Sequence, residues 1–178
     1  MYTEKELIDR CLENDPKAQE YLYKRYSCRM YGVCLRFARN TLEADDILQE
    51  GFIKVFSYLK DFRFEGSLEG WIRKIIVNTA INYYKSKQNE WNETSIDKFA
   101  SNQAVAEDIL DKISVGDLLQ LIRELPEGYR LVFNLHVMEG YNHQEIAKIL
   151  NISENTSKSQ LSRARTALQQ RLVQRKPE

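Results

Sequence analysis

Cysteine and histidine, the usual ligands of structural zinc, are scarce in this sequence, which has three cysteines and two histidines among 178 residues. The cysteines (Cys11, Cys28 and Cys34) show no C-x-x-C spacing, and the histidines are His136 and His143. Because a zinc site needs about four closely organised ligands, we predict no metal or other cofactor. We interpret the cysteines as buried reduced thiols, with a reactive thiol as the less favoured alternative.

Long apolar runs are also missing. The longest, KIIVNTAI and RLVFNLHVM, are interrupted by polar residues and fall short of the ~18 apolar residues that span a membrane. The first segment, MYTEKELIDRCLENDP, has neither a basic start nor an apolar stretch, unlike a signal peptide. We therefore expect a cytoplasmic protein that does not insert into membranes.

Neither charge is in excess, since 26 basic residues balance 26 acidic ones. Taken alone, that balance argues against a nucleic-acid-binding protein. The charges are nevertheless segregated: bases outnumber acids over residues 142–178, and acids outnumber bases over residues 91–128. The segregation indicates different surfaces for different partners.

The spacing of apolar residues is helical almost throughout, with little of the alternation typical of strands. It predicts an all-α fold with two helical domains joined by a flexible polar linker, and 178 residues suffice for both. The predicted domains span residues 1–87 and 105–178, and the linker spans residues 88–104. In the first domain the predicted helices cover about residues 4–13, 16–40, 41–60 and 68–87.

A helix-turn-helix is predicted in the second domain. Asn142 and Glu145 have the spacing of a capping box, and Asn151 and Ser153 suit a left-handed helix end and the next cap. The following helix has a buried stripe consisting of Leu161, Ala164, Leu168 and Leu172. Its other side resembles the base-contacting side of a recognition helix, the alternative being an ordinary solvated face; its residues are Lys158, Ser159, Ser162, Arg163, Thr166 and Gln169.

The segment EADDILQEGFIKVFSYL in the first domain predicts a helix with two distinct sides. Its core stripe consists of Ala44, Leu48, Gly51, Val55 and Leu59. A different side combines acidic, amide and apolar groups, namely Asp46, Gln49, Glu50 and Ile53. Such a side suits docking on a basic partner helix, although ordinary solvated acids are the simpler interpretation without further evidence.

The segment DFRFEGSLEGWIRKIIVNTAINYYKSK predicts a loop followed by a long helix. The residues expected to face inward are Ile72, Ile75, Ile76, Thr79 and Tyr83. A polar and basic stripe follows at helical spacing, consisting of Lys74, Asn78, Asn82 and Lys85. Cationic grooves with aromatic stacking surfaces bind single-stranded nucleic acid, and the preceding loop suits a pocket for an unstacked base.

Three segments together resemble a known family. In their order and spacing they resemble successive segments of extracytoplasmic-function (ECF) sigma factors of the sigma-70 family. The three segments are EADDILQEGFIKVF, FEGSLEGWIRKIIVNTAINYY and LPEGYRLVFNLHVMEGYNHQEIAKILNISENTSKSQLSRAR. The resemblance covers nearly the whole chain except the linker. It implies a subunit that directs core RNA polymerase to promoters and helps to open DNA, and that is not itself an enzyme.

The resemblance also implies a role for each surface. The residues that would bind the clamp helices of the largest polymerase subunit are Asp46, Gln49, Glu50, and Phe52 or Ile53. Those that would recognise and melt the −10 element are Phe64, Ser67, Lys74, Asn78 and Asn82, with the loop from Phe64 to Ser67 taking a flipped base. Those that would contact the −35 element are Lys158, Ser159, Ser162 and Arg163.

Further partners are implied by the same resemblance. The C-terminal domain would bind the flap of the polymerase, and the linker would run toward the RNA exit path. An anti-sigma factor, frequently membrane-bound in this family, would regulate the chain. Trp71 is expected to pack rather than to contact DNA. Ser157 stands where the family usually has a β-branched apolar residue, so we expect looser packing of the recognition helix there.

Two other classes of protein share part of this pattern or of its all-helical character. A helix-turn-helix regulator, similar to the DNA-binding half of a response regulator, would explain HQEIAKILNISENT but predicts a strand-rich receiver or ligand pocket upstream. A helical enzyme would need a paired acid–base or metal constellation, which the sequence does not offer.

Overall fold

The computed structural model describes residues 2–90 and 114–174 of the chain. The chain divides into two compact units, Met1–Ser86 and Lys87–Glu178. The described residues form helices and no strand, so the predicted all-α class is confirmed. Residues 88–90, predicted to begin the linker, are helical instead. The rest of the predicted linker and the predicted start of the second domain at residue 105 lie outside the described residues.

The first unit is built from four α-helices and a short 3-10 turn. They are α1 (Glu4–Leu12), α2 (Pro16–Phe37), α3 (Thr41–Tyr58), the 3-10 turn (Leu59–Asp61) and α4 (Leu68–Glu90). Thr3 caps α1 as part of a capping box, and Asp15 caps α2 directly before Pro16. Asn40 caps α3 by accepting a hydrogen bond from the Glu43 N–H. The four helices therefore begin at the residues that the spacing predicted, whereas α2 ends at Phe37, three residues before its predicted end.

The core of the first unit lies among α1, α2, α3 and α4. The core stripe predicted for α3 is buried throughout, at Ala44, Leu48, Gly51, Val55 and Leu59. Gly51 permits a close approach of α4, because a Cβ at this position would overlap the Cδ1 methyl group of Ile76. The docking and DNA-contacting sides predicted for α3 and α4 are thus carried by helices that share one core.

The inward side of α4 differs in part from the prediction. Ile72, Ile76 and Thr79 are buried as expected, but Ile75 and Tyr83 are only partly buried. Tyr84 is the inward tyrosine, with 1% of its surface exposed. Its hydroxyl donates a hydrogen bond to the buried Glu43 carboxylate over 3.0 Å, which fixes the choice between the two neighbouring tyrosines.

The second unit contains four α-helices and one π-helical turn among its described residues. They are α5 (Val115–Arg123), α6 (Glu127–Phe133), the π-helical turn (Asn134–Met138), α7 (His143–Leu150) and α8 (Glu154–Gln174). Pro126 is the N-cap of α6. Gly140 follows the π-helical turn with a φ of 78°, a left-handed conformation that glycine adopts without strain.

A second core joins α5 and α6 to α8. Its buried members are Leu121, Ile122, Leu125, Tyr129, Ala164 and Leu168. The Arg130 guanidinium is 2% exposed and donates hydrogen bonds to the carbonyl oxygens of Arg123 and Leu125 where α5 ends. Among the described helices of both units, none is long and apolar enough to cross a membrane.

Candidate nucleic-acid and protein interfaces

The helix-turn-helix is formed by α7, its turn and α8. The capping box is complete, because the Asn142 side chain accepts from the Glu145 N–H over 2.9 Å and the Glu145 carboxylate accepts from the Asn142 N–H over 2.8 Å. Asn151 ends α7 in the left-handed conformation, with φ 54° and ψ 47°. The Ser153 hydroxyl accepts from the Thr156 N–H over 2.9 Å and caps α8. Both predicted caps and the turn are confirmed.

One side of α8 packs and the other is solvated. Leu161, Ala164 and Leu168 are buried and Leu172 is partly buried, as the predicted stripe requires. The four residues predicted to contact the −35 element are all exposed. We call them the α8 face; they are Lys158, Ser159, Ser162 and Arg163. Lys158 forms an ion pair with Glu154 over 2.7 Å, and its hydrogen bond lowers the pKa of the Glu154 carboxyl. Such an exposed pair is weak, so Lys158 can exchange it for a phosphate.

Ser157 differs from the expectation of loose packing. It is fully buried, and its hydroxyl lies 2.9 Å from Nδ1 of His143 at the start of α7. The His143 ring stacks on His136, with ring centroids 4.5 Å apart and planes inclined by 11°. Ser157 therefore makes a polar contact between the two helices of the helix-turn-helix. The sequence analysis did not predict this contact.

The residues predicted to dock on a partner occupy one exposed side of α3. Asp46, Gln49, Glu50 and Ile53 are all exposed, and Ile53 retains 61% of its surface; we call this set the α3 face. Glu50 pairs with Lys54 one turn further on, over 2.6 Å. Leu42 is 75% exposed and precedes Asp46 by one turn, which adds an apolar group beside the face. The four-residue spacing from Leu42 to Asp46 would have placed Leu42 beside the α3 face, but Leu42 was not among the predicted docking residues.

Phe52 is a correction to the predicted docking residues. It is 3% exposed, and its ring packs edge-on against Tyr23 of α2, with centroids 4.7 Å apart. Because it follows Gly51 in the core stripe, its side chain lies under the α3 face rather than on it. Of the two alternatives offered by the resemblance, Ile53 is the exposed one.

The loop before α4 presents an aromatic ring to solvent. Phe64 is 49% exposed and has a φ of 59°, a conformation rare for residues other than glycine. Its ring lies against the buried ring of Phe62, with centroids 4.9 Å apart, and Phe62 also contacts Trp71. Ser67 is exposed and its hydroxyl accepts from the Gly70 N–H over 3.1 Å, so it also caps α4. Trp71 thus packs, as expected.

The solvated side of α4 carries the predicted polar stripe. Lys74, Asn78 and Asn82 are exposed, one turn apart, opposite the buried residues Ile72 and Ile76. Together with Phe64 and Ser67 they form what we call the α4 face. It combines a cation, two amides and a supported aromatic ring, the groups that hold single-stranded nucleic acid.

The cysteines only partly match their interpretation as buried thiols. Cys11 and Cys34 are buried, and burial raises the pKa of Cys11 to about 11 and that of Cys34 to about 12. These two thiols stay protonated and unreactive near neutral pH. Cys28 is exposed, contrary to the prediction. Across residues 2–90 and 114–174, no three His, Cys, Asp or Glu side chains converge as metal ligands.

Comparison with known protein families shows that two family models match the sequence of this chain. The model described as Sigma-70 region 2 matches residues 22–90, which include α3 and α4. The model described as Sigma-70, region 4 matches residues 116–168, which include the helix-turn-helix. Together the two matches span more than half of the chain.

Similar proteins of known class extend over nearly the whole length. The RNA polymerase sigma-H factor of Pseudomonas aeruginosa is 27% identical over 95% of this chain and 93% of its own. The ECF RNA polymerase sigma-E factor of Haemophilus influenzae is 29% identical over 96% of this chain and 95% of its own.

A solved structure has a similar fold. It is the sigma factor RpoE of Bartonella quintana, crystallised with the anti-sigma factor NepR, and it matches 89% of this chain and 98% of its own with a TM-score of 0.51 at 19% identity. The strand-rich upstream half required by the response-regulator alternative is absent from the described residues 2–90. The two region models and the full-length relatives therefore show that the chain belongs to the sigma-70 family, as an RNA polymerase sigma factor of the ECF type.

Proposed function

We propose that this sigma factor directs core RNA polymerase to promoters through three surfaces. The α3 face would bind the clamp helices of the largest subunit, the α4 face would capture the −10 element, and the α8 face would contact the −35 element. The second unit would in addition bind the polymerase flap. The observation that carries the proposal is that every polar side chain expected at these faces is exposed, on the side of its helix away from the core.

The α3 face is chemically suited to a basic helix. Asp46 and Glu50 offer carboxylates to Arg or Lys, while Gln49 adds an amide that both donates and accepts. Ile53 supplies apolar area that would be buried on contact, and such area makes the larger contribution to most interfaces. Charge complementarity would then orient the two helices while the apolar contact holds them.

The α4 face is suited to bases that have left the duplex. The Phe64 ring is held on one side by Phe62 and remains half exposed, so an unstacked base has a surface on which to stack. Stacking on aromatic side chains is worth about 1–3 kcal/mol per base, which offsets the cost of opening a base pair. Asn78 and Asn82 provide amides for base edges, and Lys74 provides a charge for the phosphate backbone.

The α8 face is suited to the major groove. Arg163 can form two parallel hydrogen bonds with guanine, and Lys158 can contact guanine or phosphate. Ser159 and Ser162 are small enough to let the helix lie deep in the groove. Each face alone would bind weakly, and the polymerase would make their contacts act together.

Run-off transcription tests the proposal. Purified core polymerase, with and without the chain, is given a library of genomic fragments, and the transcripts are mapped. We expect discrete start sites that depend on the chain and share two sequence elements upstream. Identical start sites in both reactions would contradict the proposal. The chain itself would catalyse no reaction, since the polymerase supplies the chemistry, and it would act in the cytoplasm.

The α8 face is tested by Arg163→Ala. Loss of a bidentate base contact costs about 1–3 kcal/mol, so transcription from the selected promoter should fall about tenfold. The fall should be smaller on a template whose −35 element is scrambled, because the contact is already lost there. Lys5→Ala, which removes an exposed positive charge from α1, is the control. Equal effects of Arg163→Ala on both templates would remove Arg163 from the −35 contact.

An anti-sigma factor is a further proposed partner. The Bartonella quintana protein was crystallised with one, and a partner of that class would keep this chain from the polymerase. The chain is purified from its native cells together with any stably bound polypeptide. Added back to the run-off reaction, that polypeptide should suppress the chain-dependent transcripts; unchanged transcripts would contradict the assignment.

A further inference from the structure

Both histidines of the chain meet at one point of the second unit. His143 is the first residue of α7, and its ring lies parallel to that of His136 in the π-helical turn, 4.5 Å between centroids. Ser157 of α8 completes the group, with its hydroxyl 2.9 Å from His143 Nδ1. Three successive elements of the helix-turn-helix region therefore share one polar cluster beside the α8 face.

The contact with a carbonyl oxygen fixes the position of the proton on the His136 ring. Nδ1 of His136 lies 2.9 Å from the backbone carbonyl oxygen of Tyr141, which can only accept, so this nitrogen carries a proton. Ser157 is fully buried, and a buried hydroxyl needs a partner. A neutral His143 ring with an unprotonated Nδ1 provides an acceptor for it.

Burial and neighbouring positive charge favour the neutral form of the His143 ring. Burial lowers its pKa below the ordinary value, the neighbouring His136 ring lowers it further, and Glu154 opposes them. The charged groups of α8 that face the ring are Lys158, Glu154 and Arg165. The N-terminal position of His143 in α7 also disfavours a positive ring, because the helix dipole is positive there.

The hydrogen bond between Ser157 and His143 restricts the rotation of α8 about its axis, which apolar packing alone does not fix. Ala164 and Leu168 hold α8 on the core, but dispersion and burial are not directional. A hydrogen bond is directional, and the one from Ser157 joins α8 to α7 at the residue next to Lys158. A small rotation of α8 about its axis would therefore break this hydrogen bond and at the same time displace the α8 face.

We propose that the Ser157–His143 hydrogen bond, supported by the stacked His136 ring, sets the rotation of α8 and thereby the selectivity of the α8 face for the −35 element. Ser157 and His143 are positioning residues that touch no DNA. The inference rests on the proposed function, since it concerns how that function becomes selective.

The test measures selectivity rather than stability. The full chain is combined with core polymerase, and run-off transcription is compared on the selected promoter and on the same promoter with a scrambled −35 element. Ser157→Ala and His143→Gln should each lower the ratio of the two transcripts by about fivefold, which corresponds to the lower end of the discrimination that one bidentate base contact supplies. The double variant should lower it no further, because both changes remove the same contact.

A matched pair of substitutions separates positioning from folding. The side-chain oxygen of Asn can take the place of Nδ1, whereas that of Gln lies nearer the place of Nε2. His143→Asn should therefore keep a ratio close to that of the unchanged chain, and His143→Gln should not. If Ser157→Ala unfolds the second unit, the comparison of His143→Asn with His143→Gln still tests whether the hydrogen bond positions α8. Transcription from a premelted template without a −35 element should be unchanged in all folded variants.

Several results would overturn the inference. An unchanged ratio for Ser157→Ala and His143→Gln, additive losses in the double variant, or equal ratios for His143→Asn and His143→Gln would each do so. An unchanged chain that shows no dependence on the −35 element would instead overturn the proposed function of the α8 face. The two failures are therefore distinguishable in one set of reactions.

Discussion

Glu43 is a buried carboxylate that joins α3 to α4. It is 8% exposed and accepts hydrogen bonds from the Tyr84 hydroxyl over 3.0 Å and from the Arg39 N–H over 2.9 Å. A buried charge is tolerated only when it is well hydrogen-bonded. A single side chain thus couples the helix that carries the α3 face to the helix that carries the α4 face.

Tyr84→Phe tests this coupling at the level of one hydroxyl. The substitution leaves the ring in place and deprives the Glu43 carboxylate of a donor, so we expect a loss of about 2 kcal/mol in the free energy of unfolding. Urea unfolding measures the change. Tyr58→Phe removes an exposed hydroxyl and should have little effect. Equal effects of the two substitutions would mean that the Tyr84–Glu43 bond does not stabilise the unit.

His143 gives the protein a specific pH dependence. Its pKa is lower in the folded chain than the ordinary 6.5, first through burial and then through His136 and Lys158. Above pH 6.5 the ring is neutral in both states and costs no stability. As the pH falls through 6.5 and then through the folded-state pKa, the unfolded chain binds more protons and stability is lost.

Thermal unfolding at about pH 7.5 and pH 5 measures this effect. Both the unchanged chain and His143→Asn should melt at a lower temperature at the lower pH, because carboxylates also titrate there. The decrease should be smaller for His143→Asn, which has no ring to protonate. A decrease of the same size in both proteins would show that His143 does not contribute.

At the scale of the element, α3 separates its contacts by side. The exposed side carries the α3 face, and the buried side carries Phe52 against Tyr23. A substitution on either side is expected to reduce polymerase binding, but for different reasons. Phe52→Ala would do so by unfolding the unit, since removal of a buried aromatic ring costs about 3–5 kcal/mol.

Asp46→Ala combined with Gln49→Ala changes only the exposed side. We expect it to weaken association with core polymerase about tenfold while the melting temperature stays unchanged, because neither side chain is buried. Fluorescence anisotropy of the labelled chain measures the dissociation constant. Asp9→Ala removes one exposed negative charge from α1 and serves as the control. Unchanged affinity of the double variant would exclude the α3 face as the docking surface.

At the scale of the whole molecule, a neutral chain divides its charge between surfaces. It has 26 basic and 26 acidic residues, so its overall field does not favour DNA, and attraction for phosphates is local, at the basic excess of residues 142–178 and at Lys74 of the α4 face. Contacts from separate units add strongly only when a common partner holds the units in place. Core polymerase is that partner in the proposed function.

DNA binding without polymerase therefore distinguishes this protein from a repressor. We expect the chain alone to bind duplex promoter DNA weakly and with little sequence preference at about 0.15 M salt, and the polymerase complex to bind the same DNA tightly. Electrophoretic mobility shift with intact and scrambled promoters measures both. Tight, selective binding by the chain alone would favour an independent regulator.

Local signals in the sequence were sufficient for the helices and their ends. The pair Asn142 and Glu145, the left-handed Asn151 and the cap Ser153 act within a few residues of themselves, so their geometry depends little on the rest of the fold. The all-α class and the exposed polar side of each helix follow equally from spacing, because a helix must turn its apolar residues toward a core.

Only the tertiary structure decided which of two adjacent residues lies inside. Tyr84 rather than Tyr83 is buried because Glu43, 41 residues away, accepts its hydrogen bond, and Phe52 is buried because Tyr23 of α2 packs on it. The contact between Ser157 and His143 likewise joins residues 14 positions apart. Helical periodicity cannot resolve such choices, since neighbouring positions at the edge of a stripe differ by 100° and a partner from another helix determines which of them is covered.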